Sequence, residues 1–320
     1  MRILVTGAAG FIGSHLAEKL VTLGHEVVGL DSFNSYYDRD LKQLNADDVR
    51  RTGAEVKHVD LATNDLDAAL SGVNVIYHAA AQPGISASTP FEDYLRNNIV
   101  ATQRLADAAL KLPDLRCFVN VATSSVYGRE ATEPETAEPE PTSYYGVTKL
   151  AAEQLVMAYS RDQGLPACSL RLFSVYGPRE RPEKLFPYLI DSILSDREFP
   201  LYEGSKGHSR TFTYVGDIVN GFVNVLDNLD ESVGEIFNIG SDVEITTGRG
   251  IEIVEEILGK QAKLKTVPKR PGDQVRTSAD ISKAKRILGY APSTPPEEGL
   301  RKEVEWYQEK VYGKIDLYNS

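Results

Sequence analysis

Tyr145 and Lys149 lie four residues apart, in a segment whose apolar spacing predicts a helix over residues 144–161. Side chains at this separation project from the same face of a helix. A tyrosine with its ordinary pKa of about 10 is a poor base at neutral pH, unless nearby positive charge stabilises its phenolate. The pair therefore predicts a tyrosine base assisted by a lysine, although the same spacing also occurs as an ordinary surface feature.

A hydroxyl group follows the predicted strand 116–122. Thr123 is the next residue, at a sheet edge that we expect to face the same cleft as Tyr145. Its hydroxyl can hydrogen-bond a substrate oxygen there. The alternative is a hydroxyl that only forms a turn.

A glycine-rich loop stands at the start of the first predicted helix. Gly7-Ala8-Ala9-Gly10-Phe11-Ile12-Gly13 follows a strand, and such a loop lets backbone amides approach a pyrophosphate. Asp31 ends the next predicted strand, where a carboxylate can accept hydrogen bonds from ribose hydroxyls and repel a 2′-phosphate. We therefore predict a site for NAD rather than NADP. The oxidised nicotinamide of NAD would add positive charge near Tyr145. For Asp31 and the neighbouring Ser32, the alternative is a turn cap.

These groups need a scaffold that brings distant segments together. Short β-branched runs alternate with amphipathic stretches, which is the pattern of βαβ units and a parallel sheet. The predicted strands are 2–6, 26–30, 73–78, 116–122 and 167–173, and the predicted helices are 12–23, 99–112 and 144–161. After Gly177-Pro178, short strands and helices mix with proline and glycine. We predict an α/β fold, a Rossmann doubly wound parallel sheet with a smaller, discontinuous α/β substrate-binding lobe.

The predicted division places residues 1–175 in the NAD-binding Rossmann domain, with parts of 211–240 returning to it, and residues 176–320 in the second lobe. Ligands of open α/β sheets bind at the carboxyl ends of the strands. We expect the second lobe to close over that edge of the sheet.

Composition excludes several other functions. A net charge of −11 and a pI near 5.1 disfavour nucleic acids and anionic membranes, so a bound phosphate must meet local positive groups. The sequence has no apolar run of about 20 residues and no pattern of a secretory signal, which predicts a cytoplasmic protein. Cys117 and Cys168 lie in apolar strand-like runs, so we expect two small core residues and no disulfide. No metal site is expected.

Together these segments resemble the extended short-chain dehydrogenases/reductases, specifically the nucleotide-sugar epimerases and dehydratases. The resemblance covers nearly the whole chain. It is carried by Thr6-Gly7-Ala8-Ala9-Gly10-Phe11-Ile12-Gly13-Ser14-His15, His78-Ala79-Ala80-Ala81, Val126-Tyr127-Gly128, Tyr145-Gly146-Val147-Thr148-Lys149, Arg270-Pro271-Gly272-Asp273 and Ala279-Asp280-Ile281-Ser282-Lys283-Ala284.

The resemblance implies roles for individual residues. The family's catalytic triad corresponds to Thr123, Tyr145 and Lys149, and Asn98 is similar to a structural asparagine on the helix behind the site. The further cofactor residues it implies are Asp60 and Leu61, which would border the adenine, and Ala79 and Ala80.

The fate of the substrate follows from two positions after Thr123. Members of the family oxidise a sugar at C4, with the tyrosinate taking the hydroxyl proton and a hydride passing to the nicotinamide. Relatives that then eliminate water carry an Asp-Glu pair where this chain has Ser124 and Ser125, because elimination needs a general acid and a general base. Relatives that decarboxylate UDP-glucuronate carry a glutamate at the position of Ser125. The resemblance therefore implies epimerisation at C4.

Three serines indicate a carboxylate at C6 of the sugar. By family likeness Ser124, Ser125 and Ser174 surround the sugar, and a carboxylate accepts several hydrogen bonds. Residues 29–38 also resemble UDP-glucuronate 4-epimerases, so we predict conversion of UDP-glucuronate to UDP-galacturonate. Relatives that handle hexuronates often carry an arginine where this chain has Ser86, and Arg181 can substitute for it. The alternatives are serines that only shape a turn and an arginine that is a surface charge.

The second lobe is expected to hold the nucleotide. Arg210 and Arg270 match the family's diphosphate-contacting arginines, Asp273 would take the ribose hydroxyls and Tyr202 would line the base. Thr211 replaces the family's usual aspartate. Each of these residues can also be an ordinary surface group.

Other functions remain open at this point. The alternatives are a UDP-glucose or UDP-N-acetylglucosamine 4-epimerase, a UDP-glucuronate decarboxylase and a non-catalytic NAD-binding regulator. The resemblance also implies a homodimer, formed through the helices near residues 98–112 and 144–161.

Overall fold

A computed structural model of the chain describes residues 1–86, 88–269 and 275–318. Its centre is a seven-stranded sheet in which every neighbouring pair is parallel. With strands numbered along the chain, the sheet runs β3 (Glu55–His58), β2 (Glu26–Asp31), β1 (Arg2–Thr6), β4 (Val75–His78), β5 (Cys117–Thr123), β7 (Ala167–Leu172), β12 (Ile236–Ile239). The strand order reverses between β1 and β4, which opens a crevice for a ligand at the carboxyl ends. This is the predicted Rossmann sheet.

Helices cover both faces of this sheet and continue into the second lobe. They are α1 (Phe11–Thr22), α2 (Arg39–Arg51), α3 (Asp67–Leu70), α4 (Phe91–Tyr94), α5 (Ala101–Ala109), α6 (Tyr144–Gln163), α7 (Leu185–Leu194), α8 (Val215–Asp227), α9 (Leu229–Ser232), α10 (Thr247–Leu258), α11 (Ser282–Leu288) and α12 (Pro296–Lys310).

Short strands form three smaller sheets. Their pairings are β8 (Val175–Tyr176) with β11 (Thr213–Tyr214), β9 (Glu198–Tyr202) with β14 (Lys263–Val267), and a four-stranded sheet in the order β13 (Ile245–Thr246), β10 (Ser209–Arg210), β15 (Arg276–Thr277), β6 (Glu130–Ala131). After β11 the chain returns to the main sheet through α8 and β12 and then leaves it again for β13, β14 and β15, so the second lobe is discontinuous. The exact division at residue 175 remains our prediction.

The core follows the two-residue period of the strands. Ile3 and Val5 of β1 pack on one face of the sheet with Phe222 of α8, while Leu4 packs on the other face with Leu105 of α5. A third cluster joins α7, α10 and α12 in the second lobe. Each lobe therefore has its own apolar centre.

Three features differ from the prediction. The predicted helix 99–112 begins earlier, because α4 runs through a π-helical segment, Leu95–Val100, into α5, which ends at Ala109. The helix α2 was not predicted, since only a narrow buried stripe that includes Leu41, Ala46 and Val49 interrupts its charged residues. Thr123 is the last residue of β5 rather than the residue after the strand.

Several expected absences can be compared with the described residues. Cys117 and Cys168 are buried free cysteines, with their sulfur atoms 3.9 Å apart. Within the described ranges, no group of three or more His, Cys, Asp or Glu side chains could hold a metal ion. In the same part of the chain, no helix combines the length and apolarity needed to cross a membrane.

Candidate active site

A cleft of about 1230 Å³ lies where the carboxyl ends of the central strands meet the second lobe. It is lined by nineteen of the predicted site residues: Gly7, Gly10, Phe11, Ile12, Gly13, Asp31, Ser32, Asp60, Leu61, Ala80, Thr123, Ser124, Ser125, Tyr145, Lys149, Ser174, Arg181, Tyr202 and Arg210. Ala79 does not line the cleft and packs its backbone behind Gly7 instead. The predictions for Arg270 and Asp273 lie outside the described residues.

The glycine loop is too crowded for side chains. A Cβ atom on Gly13 would lie 2.1 Å from the carbonyl oxygen of Gly7, and one on Gly7 would lie 3.0 Å from the amide nitrogen of Ala80. Gly7 also has a φ of +72°, which favours glycine. The loop therefore passes close under β4 and delivers the N-terminus of α1 to the cleft.

The first turn of α1 suits a diphosphate. It has no acidic residue and no side chain that caps its N-terminus at Gly10. The free amide groups and the helix dipole therefore favour an anion at this position. The residues present fit the pyrophosphate of a dinucleotide.

Asp31 lies at the end of β2 and is only 8% exposed. Its Oδ2 atom accepts a hydrogen bond from the amide of Ala9 at 3.1 Å, and its Oδ1 atom accepts one from Phe33 at 2.8 Å. The turn cap considered in the sequence analysis is thus present, and the carboxylate still lines the cleft. Carboxylate oxygens can accept more than one hydrogen bond, so ribose hydroxyls remain possible donors.

The helix α6 is held tightly over the end of β5. Ser143 accepts a hydrogen bond from the amide of Gly146 at 3.1 Å and starts the helix. A Cβ atom on Gly146 would lie 2.7 Å from the carbonyl oxygen of Ser125. This close approach sets the height of Tyr145 above the short 3₁₀ turn Ser124–Tyr127.

Thr123 connects this turn to Tyr145. Its Oγ1 atom accepts a hydrogen bond from the amide of Ser125 at 3.1 Å. Burial raises the pKa of Tyr145, whereas a hydrogen bond from Thr123 and the positive charge of Arg181 lower it. Because the Ser125 amide occupies one lone pair of the threonine, the hydroxyl proton is free to point at the phenol oxygen.

Lys149 is 3% exposed, and burial lowers its pKa to about 8 while Glu153 raises it. Its expected effect on Tyr145 in the presence of an oxidised nicotinamide remains a prediction. In the chain itself, Arg181 supplies positive charge to the phenol. The sequence analysis did not predict this second cation at Tyr145, because 36 residues separate the two in the chain.

A buried ion pair that the sequence did not reveal lies behind α6. Glu153 accepts two hydrogen bonds from Arg171 of β7, at 2.7 and 3.0 Å, and both side chains are at most 2% exposed. Arg171 also donates to the hydroxyl of Tyr127 at 2.8 Å. The pair joins the helix that carries Tyr145 and Lys149 to the central sheet.

Asn98 supports α6 from the other side. Its side-chain amide donates to Thr148 of α6 at 3.0 Å, and its Oδ1 atom accepts a hydrogen bond from the amide of Gln82 at 2.7 Å. Asn98 lies in the π-helical segment, which turns it inward. The loop after β4 and the helix α6 are thereby held together.

The sugar end of the cleft contains hydroxyl groups and one arginine. Ser124 and Ser125 are buried, and Ser174 lines the same wall after β7. The guanidinium of Arg181 lies 5.6 Å from the ring centroid of Tyr36 and forms an ion pair with Glu183. Ser86, where relatives often have an arginine, hydrogen-bonds within its own loop to Ser88 and Thr89.

The far end of the cleft belongs to the second lobe. Tyr202 and Arg210 line it together with Phe212, whereas the side chain of Thr211 is fully buried and does not reach the cleft. Several other lining residues were not predicted as site residues, which include Tyr37, Lys42, Glu180, Glu183, Lys184, Tyr188 and Tyr318.

Comparisons with known proteins agree with this geometry. The model of the NAD dependent epimerase/dehydratase family matches residues 3–240. A Bacillus subtilis protein described as an uncharacterized UDP-glucose epimerase is 39% identical, over 98% of this chain and all of that protein. UDP-glucuronate 4-epimerase 6 of Arabidopsis thaliana is 34% identical, over 96% of this chain and 71% of its own length.

Among solved structures, UDP-glucuronic acid 4-epimerase from Bacillus cereus, in complex with UDP-glucuronic acid and NAD, has a TM-score of 0.92 and 37% identity. The match covers 97% of this chain and 99% of that one. A UDP-glucose 4-epimerase from Thermotoga maritima with UDP-glucose has a TM-score of 0.86 and 28% identity, over 97% and 99% of the two chains.

The crowding at Gly13 makes a testable prediction. In Gly13→Ala the new methyl group must displace the Gly7 carbonyl, so we expect the free energy of unfolding to fall by about 1–3 kcal/mol and the dinucleotide to be lost. Chemical denaturation and the nicotinamide content of the purified protein measure both effects. Gly207→Ala is the control, because a Cβ there meets nothing within 4 Å. An intact dinucleotide content in Gly13→Ala would contradict the assignment of the loop.

Proposed function

Since the chain belongs to the NAD dependent epimerase/dehydratase family, we propose that it inverts C4 of UDP-glucuronate to give UDP-galacturonate, with NAD bound throughout. The observation that carries this proposal is the arrangement of Tyr145, Thr123 and Arg181 at the sugar end of the cleft. It combines a base for the C4 hydroxyl with a cation for a C6 carboxylate. The likeness to UDP-glucuronate 4-epimerases of known sequence and structure supports it.

The cofactor would lie along the glycine loop. Its pyrophosphate would meet the N-terminus of α1, its adenosine ribose Asp31 and its adenine Asp60 and Leu61. Bound NAD supplies a hydride acceptor that later returns the hydride to C4. Lys149, from α6, would hydrogen-bond the ribose next to the nicotinamide and add positive charge near Tyr145.

Tyr145 would take the proton of the C4 hydroxyl as the hydride leaves. For this step its pKa must fall from the raised value that burial imposes, and Thr123 and Arg181 act in that direction. After the ketone has turned within the cleft, the same tyrosine returns the proton to the new alcohol. A single acid–base residue is sufficient because the two half-reactions are the reverse of each other.

The ketone has other possible fates, which the sugar end disfavours. Loss of water needs a carboxyl pair, and the two positions after Thr123 are serines whose hydroxyl groups are neither acids nor bases at their ordinary pKa. A 4-keto hexuronate is a β-keto acid and loses carbon dioxide when its carboxylate bond aligns with the carbonyl π system. Arg181, Ser124 and Ser174 would hold the carboxylate out of that alignment by charge-assisted hydrogen bonds.

The nucleotide would be held more firmly than the sugar, since the sugar must rotate. Arg210 would contact the diphosphate and Tyr202 the uracil, and Arg270 and Asp273 remain candidates for the diphosphate and the ribose. A second candidate function, a UDP-glucose or UDP-N-acetylglucosamine 4-epimerase, has support from the name of the Bacillus subtilis relative.

Substrate comparison tests the proposal. With UDP-glucuronate the protein should form UDP-galacturonate, detected by NMR, and kcat/KM for UDP-glucose should be about 100-fold lower because a neutral sugar leaves Arg181 without its partner. Tyr145→Phe should lower kcat by about 10²–10⁴-fold. A UDP-pentose product would indicate decarboxylation instead, and faster turnover of UDP-glucose would favour the second candidate.

The pH dependence tests the role of Thr123. Thr123→Val removes a hydrogen bond that lowers the pKa of Tyr145, so that pKa rises further and less tyrosinate is present at any given pH. The acidic limb of the kcat/KM profile should therefore move to higher pH. For each unit by which the pKa rises, kcat/KM at a pH on the acidic side should fall about tenfold. Thr123→Ser keeps the hydroxyl and should keep the profile. An unshifted limb in Thr123→Val would exclude this role.

We also propose a homodimer. Five large apolar side chains are exposed on adjoining surfaces of α4, the π-helical segment and α6, namely Phe91, Leu95, Val100, Tyr144 and Val147. A contiguous apolar surface of this kind is typical of an interface.

The two free, buried cysteines support a reducing compartment, such as the cytoplasm, as the location of the protein.

Light scattering after size exclusion tests the dimer. Val147→Asp introduces a charge at a side chain that is 45% exposed, so the subunit should fold while the dimer dissociates. The control Val243→Asp changes a valine that is 53% exposed elsewhere and should leave the mass unchanged. Equal masses for the two variants would place the interface on another surface.

A further inference from the structure

Arg181 already has a carboxylate partner before any substrate binds. Its guanidinium pairs with Glu183, and both residues line the cleft. The two side chains differ in their surroundings, because that of Arg181 is 13% exposed and that of Glu183 is 45% exposed. The arginine is therefore held in place, whereas the glutamate can turn into water.

The other contacts of Arg181 fix the position of its guanidinium. One side lies over the ring of Tyr36, and another approaches Gly84, where a Cβ atom would lie 3.1 Å from Nη2. Because Arg181 also lines the cleft, a carboxylate bound in the cleft can reach its guanidinium. In the described chain Glu183 already accepts a hydrogen bond from one of the guanidinium N–H groups.

The local charges indicate why such a partner is present. Lys184 lines the cleft nearby, and its pKa is lowered by loss of hydration and by the positive charges of Arg181 and Arg210, while Glu180 and Glu183 oppose that shift. Without a nearby anion, these cations would repel one another and destabilise the cleft. Glu183 compensates the charge of Arg181 in the free enzyme, and a substrate carboxylate can take over that function.

A hexuronate and a neutral hexose differ at this point. An ion pair with one half-exposed partner contributes little, so a second carboxylate can displace it without a large cost. The C6 hydroxymethyl group of a neutral sugar carries no charge and leaves Glu183 on the arginine. The exchange therefore distinguishes the two sugars by charge rather than by size.

We propose that Glu183 is a resident counter-ion of Arg181 that the C6 carboxylate of the substrate displaces, so that Glu183 sets how tightly the site binds hexuronates without affecting neutral sugars. This inference rests on the proposed function. The competition lowers affinity for every hexuronate, and its removal strengthens binding of these sugars alone.

Calorimetry on the NAD-loaded Tyr145→Phe enzyme, which binds without turnover, tests the exchange. In this background Glu183→Gln should lower the Kd of UDP-glucuronate by about two- to fivefold and leave the Kd of UDP-glucose and of UDP unchanged. Glu235→Gln is the matched control, because Glu235 is 44% exposed, pairs with Lys283 at 2.6 Å and does not line the cleft. It should change none of the three values.

A double-mutant cycle shows whether the effect passes through Arg181. In Arg181→Met, which binds UDP-glucuronate more weakly, the added Glu183→Gln change should have no further effect. Weaker binding of UDP-glucuronate by Glu183→Gln would mean that Glu183 orients the arginine, and unchanged or equally tightened binding of all three ligands would also overturn the inference. The proposed function fails separately, if the parent enzyme does not bind or convert UDP-glucuronate at all.

Discussion

The site depends on the buried pair of Glu153 and Arg171, which fixes α6 against the central sheet. Removal of one partner from such a pair leaves an uncompensated buried charge and costs about 3–5 kcal/mol. Here the position of the pair also matters. Glu153 follows Lys149 by one helical turn and raises the pKa of that lysine, so one carboxylate both anchors the helix and favours the charged form of the lysine. A substitution of Glu153 would therefore change both the attachment of α6 to the sheet and the pKa of Lys149.

The charge of the cleft differs from that of the protein as a whole. The net charge is −11, yet the cleft is lined by Lys42, Lys149, Arg181, Lys184 and Arg210. Arg181 and Lys184 lie on the loop before α7, whereas Lys42, Lys149 and Arg210 lie on α2, α6 and β10, and the fold brings them to one edge. The glycine loop adds amide groups without adding a formal charge. Anion binding therefore arises from a local arrangement that the overall composition does not reveal.

The sequence predicted the parts of the fold that local pattern determines. Five of the seven strands of the central sheet were predicted, whereas β3 and β12 were missed. Those five strands, the glycine loop, Asp31 and the pair of Tyr145 and Lys149 lie within short segments whose spacing has a direct physical meaning. The helix α2 was missed because its hydrophobic stripe is narrow, and the π-helical segment because one extra residue in a turn leaves no periodic mark.

Contacts between segments that are distant in the chain could not be predicted from the sequence. The partnership of Glu153 with Arg171 could not be predicted, since a glutamate in a helix and an arginine in a strand are ordinary until the chain buries them together. The sequence predicted Arg181 as a partner of a C6 carboxylate, but not as a neighbour of Tyr145. Its position beside Tyr145 depends on how the chain leaves β7 and returns through residues 177–184.

Thr123 shows how closely the backbone and the chemistry are linked. One hydroxyl caps the turn Ser124–Tyr127 by accepting from Ser125 and also hydrogen-bonds Tyr145. Under the proposed function, a turn with carboxyl groups at its first two positions would add proton donors beside the ketone, whereas two serines would leave Tyr145 as the proton carrier at this edge of β5. The same short turn would thus position the base and limit what can happen to the oxidised sugar, so the residues after Thr123 would decide between elimination and return of the hydride.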